Sequence, residues 1–263
     1  MQLKWIDYCK PQRIKMKSII ELTNKLYLVT GAGSGIGRET SWVLTELGAT
    51  VIMLDVNAEG LAETASIAGE HAISMTIDLT DNSAVAEAVS QIVEKYGKLD
   101  GLVHCAGISS RKPLNVLSKD GFSRVMDVNF FSFVELVKQC AKKKHINDGA
   151  SIVVMSSISS IRGYKAKTEY CVSKAAVDAF VRCMALELAD RKIRVNSVMP
   201  AEVLTPLALK AREANAAVGA SNFQAPLGPS EPYEVANAIA FLLSDATKTI
   251  TGTSILIDGG ACI

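Results

Sequence analysis

The stretch Leu26-Tyr-Leu-Val-Thr30-Gly31-Ala-Gly-Ser-Gly35-Ile-Gly37-Arg38 decides the fold. Its first five residues form a β-rich apolar run without polar alternation, which predicts a strand buried on both faces. The glycines permit a tight turn, and backbone N–H groups there can approach a pyrophosphate at the start of a helix. The Gly-x-Gly-x-x-Gly spacing fails at Ile36, and no Gly-Lys-Ser/Thr follows, which excludes a nucleoside-triphosphatase loop. Taken alone, the turn also suits plain packing of a helix against a strand.

Short apolar runs alternate with helical patterns along the rest of the chain. Strands are predicted at Leu26–Thr30, Thr50–Val56, Ala72–Asp78, Leu99–His104, Ser151–Ser156, Arg194–Met199 and Thr253–Ile257. Helices are predicted at Gly37–Leu47, Ser83–Tyr96, Gly121–Lys144, Tyr170–Asp190 and Pro232–Leu243. The alternation predicts an α/β fold with a doubly wound parallel sheet, in a single domain from residue 23 to 263.

Two segments fall outside this alternation. Residues 1–22 carry several lysines and lack the continuous apolar core of a signal peptide, so we predict a flexible basic extension. Residues 202–230 form one long break, rich in Ala, Pro and Asn, between the sixth strand and the last helix. Loops of this length usually act as lids or binding loops, so the break is interpreted as a substrate loop.

The composition excludes several classes of function. Of 263 residues, 49% are hydrophobic and 21% charged, and the formal net charge of +1 gives no field that attracts nucleic acid or an anionic membrane. The apolar runs are too short to span a bilayer. Six cysteines without Cys-x-x-Cys spacing and only three histidines predict no metal site and a reduced, cytoplasmic protein.

Two aspartates at predicted strand ends point to a dinucleotide. Asp55 ends the second strand about twenty residues after the glycine turn, where a carboxylate accepts both ribose hydroxyls of NAD and repels a 2′-phosphate. Arg38 could partly offset that repulsion, but no arginine stands at Ser34 or directly after Asp55, so NAD is favoured over NADP. Asp78, followed by Leu79, either accepts from an adenine amino group or caps the end of the third strand.

Tyr170 and Lys174 are the strongest candidates for catalysis. They are four residues apart in Tyr170-Cys-Val-Ser-Lys174, which places both side chains on one helix face. A free phenol titrates near pH ~10, and a neighbouring ammonium favours its ionised form. Such a pair can take a proton from an alcohol. Because Tyr-x-x-x-Lys also occurs by chance in many helices, its weight depends on the other motifs.

Five motifs occur in order at a specific spacing. Thr30-Gly31-x-x-x-Gly35-x-Gly37, Ala106-Gly107, Asn129, Ser157 and Tyr170-x-x-x-Lys174 together resemble the classical subfamily of the short-chain dehydrogenase/reductase family. The resemblance covers residues 22–260. It implies a Rossmann-type sheet of seven strands, a nicotinamide cofactor and a homotetramer or homodimer, with the helices Gly121–Lys144 and Tyr170–Asp190 at the subunit interface.

The resemblance also implies roles for individual residues. Tyr170 would be the general base or acid, Lys174 would lower its pKa and bind the nicotinamide ribose, and Ser157 would hold the reacting oxygen. Asn129 would support a water relay to Lys174, and Thr205 would contact the nicotinamide carboxamide. The other implied cofactor contacts are Gly31, Ser34, Gly35, Ile36, Gly37, Asp55, Asp78, Leu79, Ala106, Gly107, Pro200 and Val203.

The chain departs from the family pattern at two places. His104-Cys105 stands where the family usually has two asparagines, and we expect His104 to alter packing instead of chemistry. Ala201 replaces the usual glycine after Pro200, and its methyl group is expected to shape the pocket next to the nicotinamide. Neither change removes a catalytic group.

The substrate stays open at this stage. Residues 200–207 are similar to a stretch in sugar dehydrogenases of the family, including those acting on L-fucose, and Glu202 either hydrogen-bonds a polyol or is solvated. Arg162, Lys165 and Lys167 either meet an anionic substrate or belong to a hydrated loop. We expect an NAD-dependent oxidoreductase for a secondary alcohol or its ketone, with a sugar or polyol as one candidate. The alternatives are a 3-oxoacyl-acyl-carrier-protein reductase, which usually uses NADPH, and a non-catalytic NAD-sensing or scaffold protein.

Overall fold

The computed structural model describes residues 20–209 and 225–263, which form seven strands and seven α-helices. The strands are β1 Leu26–Thr30, β2 Thr50–Asp55, β3 Ala72–Thr76, β4 Leu99–His104, β5 Ile146–Met155, β6 Arg194–Pro200 and β7 Ser254–Ile257. The helices are α1 Gly35–Glu46, α2 Ala58–Ala68, α3 Asn82–Tyr96, α4 Lys119–Met126, α5 Ser132–Cys140, α6 Thr168–Glu187 and α7 Pro232–Leu243.

The strands form a single parallel sheet in the order β3-β2-β1-β4-β5-β6-β7. The predicted doubly wound α/β fold is therefore confirmed. The chain runs outward from β1 in one direction and, after crossing to β4, in the other. Ligands of such sheets bind where the strand order reverses, at the carboxyl ends of the strands. In this sheet that position lies between β1 and β4.

The core consists of two apolar layers, one on each face of the sheet. One layer joins β1, β4 and β5 to α3, α5 and α6, and Phe133 and Val181 are buried in it. The other joins the opposite strand faces to α1 and α7, with Leu44 and Ile239 at its centre. Because the central strands are covered on both faces, they read as continuous apolar runs in the sequence.

Close approach of backbone explains two glycines near the turn. A Cβ on Gly37 would lie 2.1 Å from the carbonyl oxygen of Gly31, inside the first turn of α1. A Cβ on Gly60 would lie 2.5 Å from the carbonyl oxygen of Gly33, so only glycine lets α2 pack directly against the turn. These contacts fix the position of the glycine turn at the edge of the sheet.

Two helical regions differ from the sequence-based expectation. The helix α2 was not predicted; it begins after Asn57, whose side chain accepts a hydrogen bond from the Gly60 N–H at 3.1 Å. The predicted helix Gly121–Lys144 is α4, a five-residue π-helical turn at Asp127–Phe131, and α5, which ends at Cys140. A π-helical turn inserts extra backbone into a helix and is often found at functional sites.

The predicted terminal extension and substrate loop are described only in part. Residues 1–19 and 210–224 lie outside the described residues. Leu22 is already buried, and its N–H donates to the carbonyl oxygen of Leu47 at 3.2 Å. At the base of the loop, a parallel bridge joins Val203 to Ser230, and the Ser230 N–H donates to the Glu202 carbonyl at 2.9 Å. Across the described residues, every helix is too short or too polar to cross a membrane.

Candidate active site

A cavity of about 1670 Å³ opens at the carboxyl edge of the sheet, next to the point where the strand order reverses. The candidate residues that line it are Gly31, Ser34, Gly35, Ile36, Gly37, Asp55, Asp78, Leu79, Ala106, Gly107, Ser157, Tyr170, Lys174, Pro200, Val203 and Thr205. Asn129 is fully buried behind the cavity wall. Residues that are far apart in the sequence meet here because the parallel strands all end at this edge.

The glycine turn and the end of β2 form one end of the cavity. The Asp55 carboxylate accepts a hydrogen bond from the Gly33 N–H at 2.9 Å and another from the Asn57 N–H at 2.9 Å. These two bonds hold the carboxylate at the cavity, and each oxygen keeps a further lone pair that can accept from a ribose hydroxyl. The turn and the carboxylate therefore fit the diphosphate and adenosine ribose of a dinucleotide.

The guanidinium of Arg38 is already engaged beside this end of the cavity. Its Nη2 donates to the Gly33 carbonyl at 2.6 Å and pairs with Glu63 of α2 at 2.6 Å. Its Nε donates to the Thr64 hydroxyl at 3.1 Å. Arg38 thus ties the glycine turn to α2, and its charge is partly neutralised there.

Asp78 and Leu79 line the cavity beyond the end of β3. Because β3 ends at Thr76, Asp78 lies in the following turn, not in the strand as predicted. Its Oδ1 accepts from both the N–H and the hydroxyl of Thr80, at 2.9 and 2.8 Å. The structure therefore shows the capping interaction, and Asp78 is exposed and lines the cavity; a contact with adenine stays a prediction.

Ser157, Tyr170 and Lys174 form the other part of the site. Ser157 follows β5, and its hydroxyl accepts from the Ser159 N–H at 3.1 Å. Tyr170 and Lys174 lie in the first turns of α6, and the Lys174 ammonium is 5.7 Å from the centre of the Tyr170 ring. The same ammonium donates to the Met155 carbonyl at 2.7 Å and is almost completely buried. The predicted spacing thus places both side chains on one helix face.

The pKa values show that burial dominates at this site in the free protein. Burial raises the pKa of the Tyr170 phenol, although the nearby Ser157 hydroxyl acts in the opposite direction. Burial also lowers the pKa of the Lys174 ammonium to about 8. Removal from water penalises the charged form of each residue. That Lys174 lowers the pKa of Tyr170 stays a prediction. The phenol is therefore neutral near pH 7, whereas the Lys174 ammonium, with a pKa of about 8, is still mostly protonated there and releases its proton at slightly higher pH.

Asn129 holds the wall of the cavity from behind. It lies in the π-helical turn, where its Oδ1 accepts from the Ile108 N–H at 2.7 Å and its Nδ2 donates to the Ile108 carbonyl at 3.0 Å. Its Nδ2 also donates to the Ser173 hydroxyl at 3.0 Å. A Cβ on Gly107 would lie 3.2 Å from Asn129 Oδ1 and 3.6 Å from Lys174 Nζ, so all three groups meet around this glycine. Asn129 thus connects the loop after β4 with α6.

His104 is a structural residue in this geometry. Its Nδ1 is 2.9 Å from the Thr30 hydroxyl, its Nε2 is 3.3 Å from the Ser132 hydroxyl, and its ring stacks on Phe133 at 5.3 Å. Burial lowers its pKa to about 3, so the ring is neutral at physiological pH. His104 therefore links β1, β4 and α5 through these contacts, and its effect relative to the usual asparagine stays a prediction.

Several lining residues could not be identified from the sequence, among them Arg111 in the loop after β4 and Tyr164 before α6. Of the three cations considered before α6, Lys167 lines the cavity, whereas Arg162 and Lys165 are not among the residues that line it. The Lys167 ammonium lies 5.4 Å from the centre of the Tyr164 ring and 6.0 Å from the centre of the Tyr170 ring. Arg111 belongs to no sequence motif. Only its position shortly after Ala106-Gly107, where the chain leaves the carboxyl edge of the sheet, could have indicated that it lines the cavity.

The arrangement defines a class of protein. A hydroxyl, a phenol and an ammonium lie beside a turn that can bind a diphosphate, so proton transfer can take place next to a bound nucleotide. This combination is what a nucleotide-dependent oxidoreductase requires. A comparison with known proteins identifies the family within that class.

The family model described as enoyl-(acyl carrier protein) reductase matches residues 31–262. The chain is 35% identical to a 3-oxoacyl-[acyl-carrier-protein] reductase of Thermotoga maritima, over 93% of the chain and 100% of that protein. It is 30% identical to an NAD-dependent glycerol dehydrogenase of Listeria innocua, over 92% of the chain and 95% of that protein. An aldohexose dehydrogenase of Thermoplasma acidophilum matches with a TM-score of 0.81 and 31% identity, over 91% and 94% of the two chains. The chain belongs to the short-chain dehydrogenase/reductase family, whose members use nicotinamide nucleotides.

Proposed function

We propose that the protein is an NAD-dependent oxidoreductase that interconverts a secondary alcohol and a ketone or lactone-level carbonyl. The observation that carries this proposal is the placement of Tyr170 between the Ser157 hydroxyl and the Lys174 ammonium, in the same cavity as the glycine turn. Sugars and polyols are candidate substrates, and the similarity to glycerol and aldohexose dehydrogenases supports them.

The protein's own groups supply binding, orientation and proton transfer in this reaction. When bound, the nicotinamide ring accepts or donates the hydride. Ser157 donates a hydrogen bond to the substrate oxygen and holds it near the Tyr170 hydroxyl. In the reductive direction Tyr170 gives its proton to that oxygen, and burial, which keeps the phenol protonated, favours this step. In the oxidative direction Tyr170 accepts the hydroxyl proton, and the Lys174 ammonium stabilises the phenolate that precedes this step.

Lys174 and Asn129 would form the route by which protons leave the site. The Lys174 pKa of about 8 lets the amine exchange a proton near physiological pH. Asn129 lies next to it across Gly107 and orders the Ile108 backbone. Thr205, Pro200 and Val203 would contact the nicotinamide end of the cofactor, as the family resemblance implies.

The geometry around Asp55 supports NAD over NADP. A 2′-phosphate on the adenosine ribose would face the carboxylate that the Gly33 and Asn57 N–H groups hold in place. Arg38 is the nearby cation that could offset this repulsion, but it is bound to Glu63 and to the Gly33 carbonyl. Binding a phosphate there would require Arg38 to leave a carboxylate at 2.6 Å.

A 3-oxoacyl-acyl-carrier-protein reductase is the enzymatic alternative, and the similarity to the Thermotoga maritima enzyme favours it. Because that reaction usually uses NADPH, the relative affinities for NADH and NADPH separate the two proposals. Tight NADPH binding with poor NADH binding would contradict our first choice. A non-catalytic NAD-sensing or scaffold protein is the alternative from another class, and it would have no need of Ser157, Tyr170 and Lys174.

The Tyr170→Phe variant tests the proposed reaction. We expect it to abolish turnover and to retain NADH binding, since the substitution removes the proton-transferring hydroxyl and little volume. The assay is NADH fluorescence with the purified protein and a panel of sugars, polyols, hydroxy acids, steroids and 3-oxoacyl thioesters. Wild-type activity in this variant would show that the proposed mechanism is wrong.

The remaining expectations are part of the same proposal. We infer a cytoplasmic enzyme that assembles as a homotetramer or homodimer, as is common in the family. The catalytic domain would extend over residues 23–263, and the segment 202–230 would close over the substrate.

A further inference from the structure

We propose that the substrate carries a carboxylate, and that Arg111 and Lys167 bind it at the end of the cavity beyond Tyr170. This inference rests on the proposed oxidoreductase function and names its substrate class: a hydroxy acid, or the corresponding keto acid. The neutral polyols considered above lack such a group.

The backbone brings the two cations together. The Lys112 N–H donates to the Ala166 carbonyl at 2.7 Å, which joins the loop after β4 to the turn before α6. Ala166 has a φ of 64°, in the left-handed region that a non-glycine residue rarely adopts. Arg111 and Lys167 are the chain neighbours of this bonded pair, and both face the cavity. The strained turn thus places two like charges side by side.

Nearby carboxylates do not neutralise these cations. Glu169 is almost completely buried beside them, but it accepts from the Ser110 hydroxyl and pairs with Lys112 at 3.4 Å. Among the residues that the structure describes, no carboxylate forms an ion pair with Arg111 or Lys167. The charge of Glu202, which also lines the cavity, raises the pKa of Lys167 and is the smallest of the effects on it.

The two cations repel each other and are partly removed from water. Burial and the Arg111 charge both lower the pKa of the Lys167 ammonium. An anion between the two would remove this unfavourable interaction, and the free protein therefore favours an anionic ligand over a neutral one at this place. The repulsion between the Arg111 and Lys167 charges destabilises the free protein, and a bound carboxylate would offset it.

The position relative to Tyr170 limits the size of the ligand. The Lys167 ammonium lies 6.0 Å from the centre of the Tyr170 ring. A carboxylate in contact with Lys167 is therefore only a few bonds from a carbon that reacts next to the Tyr170 hydroxyl. The phosphate of an acyl carrier thioester lies at the far end of a long pantetheine arm and would not reach this position. A small hydroxy acid fits the spacing.

The test compares acids with their neutral amides in the full-length protein. The probes are 3-hydroxybutyrate and 4-hydroxycyclohexanecarboxylate, each paired with its primary amide, with NAD as cofactor. We expect kcat/KM of the wild type to favour the acid over the amide by about tenfold or more, because a hydrogen bond to a charged group is worth that much. The variants Lys167→Gln and Arg111→Gln should each remove most of this preference, mainly through KM.

Two matched controls accompany these variants. Lys167→Arg keeps the charge and should retain the preference for the acid. Lys165→Gln removes an exposed lysine of the same loop that does not line the cavity, and it should leave the acid-to-amide ratio unchanged. A substitution at Lys167 that disturbs the neighbouring Tyr170 ring would lower the activity with the acid and with the amide alike. Such a loss cancels in the acid-to-amide ratio, because the ratio compares two substrates in one variant.

The outcomes separate this proposal from the proposed function. Binding of each acid and amide to the NADH complex, measured by fluorescence, decides the carboxylate site even if neither compound is turned over. The carboxylate site is wrong if no acid binds or reacts better than its amide, or if Lys167→Gln and Arg111→Gln leave the ratio as in the wild type. The oxidoreductase function fails separately, through absence of turnover with every alcohol and ketone in the wider panel.

Discussion

Asp55→Asn is the substitution that tests the choice of cofactor most directly. The two residues have the same shape, but the amide has one acceptor oxygen where the carboxylate has two. In the structure both carboxylate oxygens accept from backbone, one from the Gly33 N–H and one from the Asn57 N–H, each at 2.9 Å. The amide nitrogen of the variant must therefore face one of these two N–H donors.

The geometry gives the size of the effect. In the bound complex the adenosine ribose loses a charged acceptor, and a hydrogen bond to a charged group is worth about 1.5–3 kcal/mol. NADH should therefore bind roughly 10- to 100-fold more weakly. For NADPH the carboxylate also repels the 2′-phosphate, by about 4 kcal/mol per pair of unit charges at ~4 Å in a partly solvated site. Because the variant removes this repulsion, the NADH preference should fall by at least about 100-fold.

The measurement is the ratio of the dissociation constants of NADH and NADPH, determined by fluorescence titration for wild type and variant. Glu59→Gln is the matched control, since it removes a neighbouring exposed carboxylate of α2 that does not line the cavity. The control should keep the wild-type ratio. If Asp55→Asn also keeps that ratio, Asp55 does not contact the adenosine ribose and the argument for NAD is wrong.

Three further predictions concern the turn, the buried lysine and the buried histidine. Gly37→Ala should lower the free energy of unfolding by about 3 kcal/mol or more, because its Cβ would lie 2.1 Å from a backbone oxygen. The control is Gly163→Ala, whose Cβ meets no atom within 4 Å and which should be neutral. Thermal denaturation compares the two variants. Lys174→Met should abolish turnover yet raise the melting temperature at pH 7. Burying the charged lysine destabilises the folded protein, as its lowered pKa of about 8 indicates, and this effect is fully present below pH 8. The difference in melting temperature between the variant and the wild type should shrink as the pH rises from 8 towards 10.5, the pKa of lysine in the unfolded chain, because the folded lysine is then neutral and only the unfolded one is charged. Equal melting temperatures of the two proteins at every pH would contradict this prediction. His104→Asn should leave the pH profile of kcat unchanged between pH 5 and 9, because the histidine pKa of about 3 keeps the ring neutral throughout.

The parts of the fold that depend on local pattern could be predicted from the sequence. The apolar runs located the seven strands to within a few residues, except that β5 begins at Ile146, five residues earlier than expected. The meeting of the candidate residues in one cavity could also be predicted, because residues at the carboxyl ends of parallel strands lie at one edge of the sheet. The four-residue spacing of Tyr170 and Lys174 was sufficient to place both on one face of α6.

Features that depend on tertiary contact were missed. The buried residues of α2 are Gly60, Leu61, Thr64 and Ala68, and because only one of them is large and apolar, the sequence has no strong apolar stripe. Its glycine is needed for contact with the Gly33 carbonyl. Asn57, a residue type favoured at helix N-termini, was the sequence feature that could have indicated where α2 begins. The raised pKa of Tyr170 depends mainly on its burial, which spacing along a helix does not determine. Arg111 likewise became a candidate only because the fold places it in the same cavity as Lys167, where its charge lowers the pKa of that lysine.

The π-helical turn at Asp127–Phe131 limits how this chain can change in length. Deleting one residue there would let the flanking helices merge into one regular α-helix, and everything on one side would swing by about 100° around the axis. Asn129 would then point away from Ile108 and Ser173, and the wall behind Lys174 would lose these hydrogen bonds. We therefore expect insertions and deletions in this lineage to accumulate in exposed connections between strands and helices and to avoid this short segment, even where the individual amino acids change.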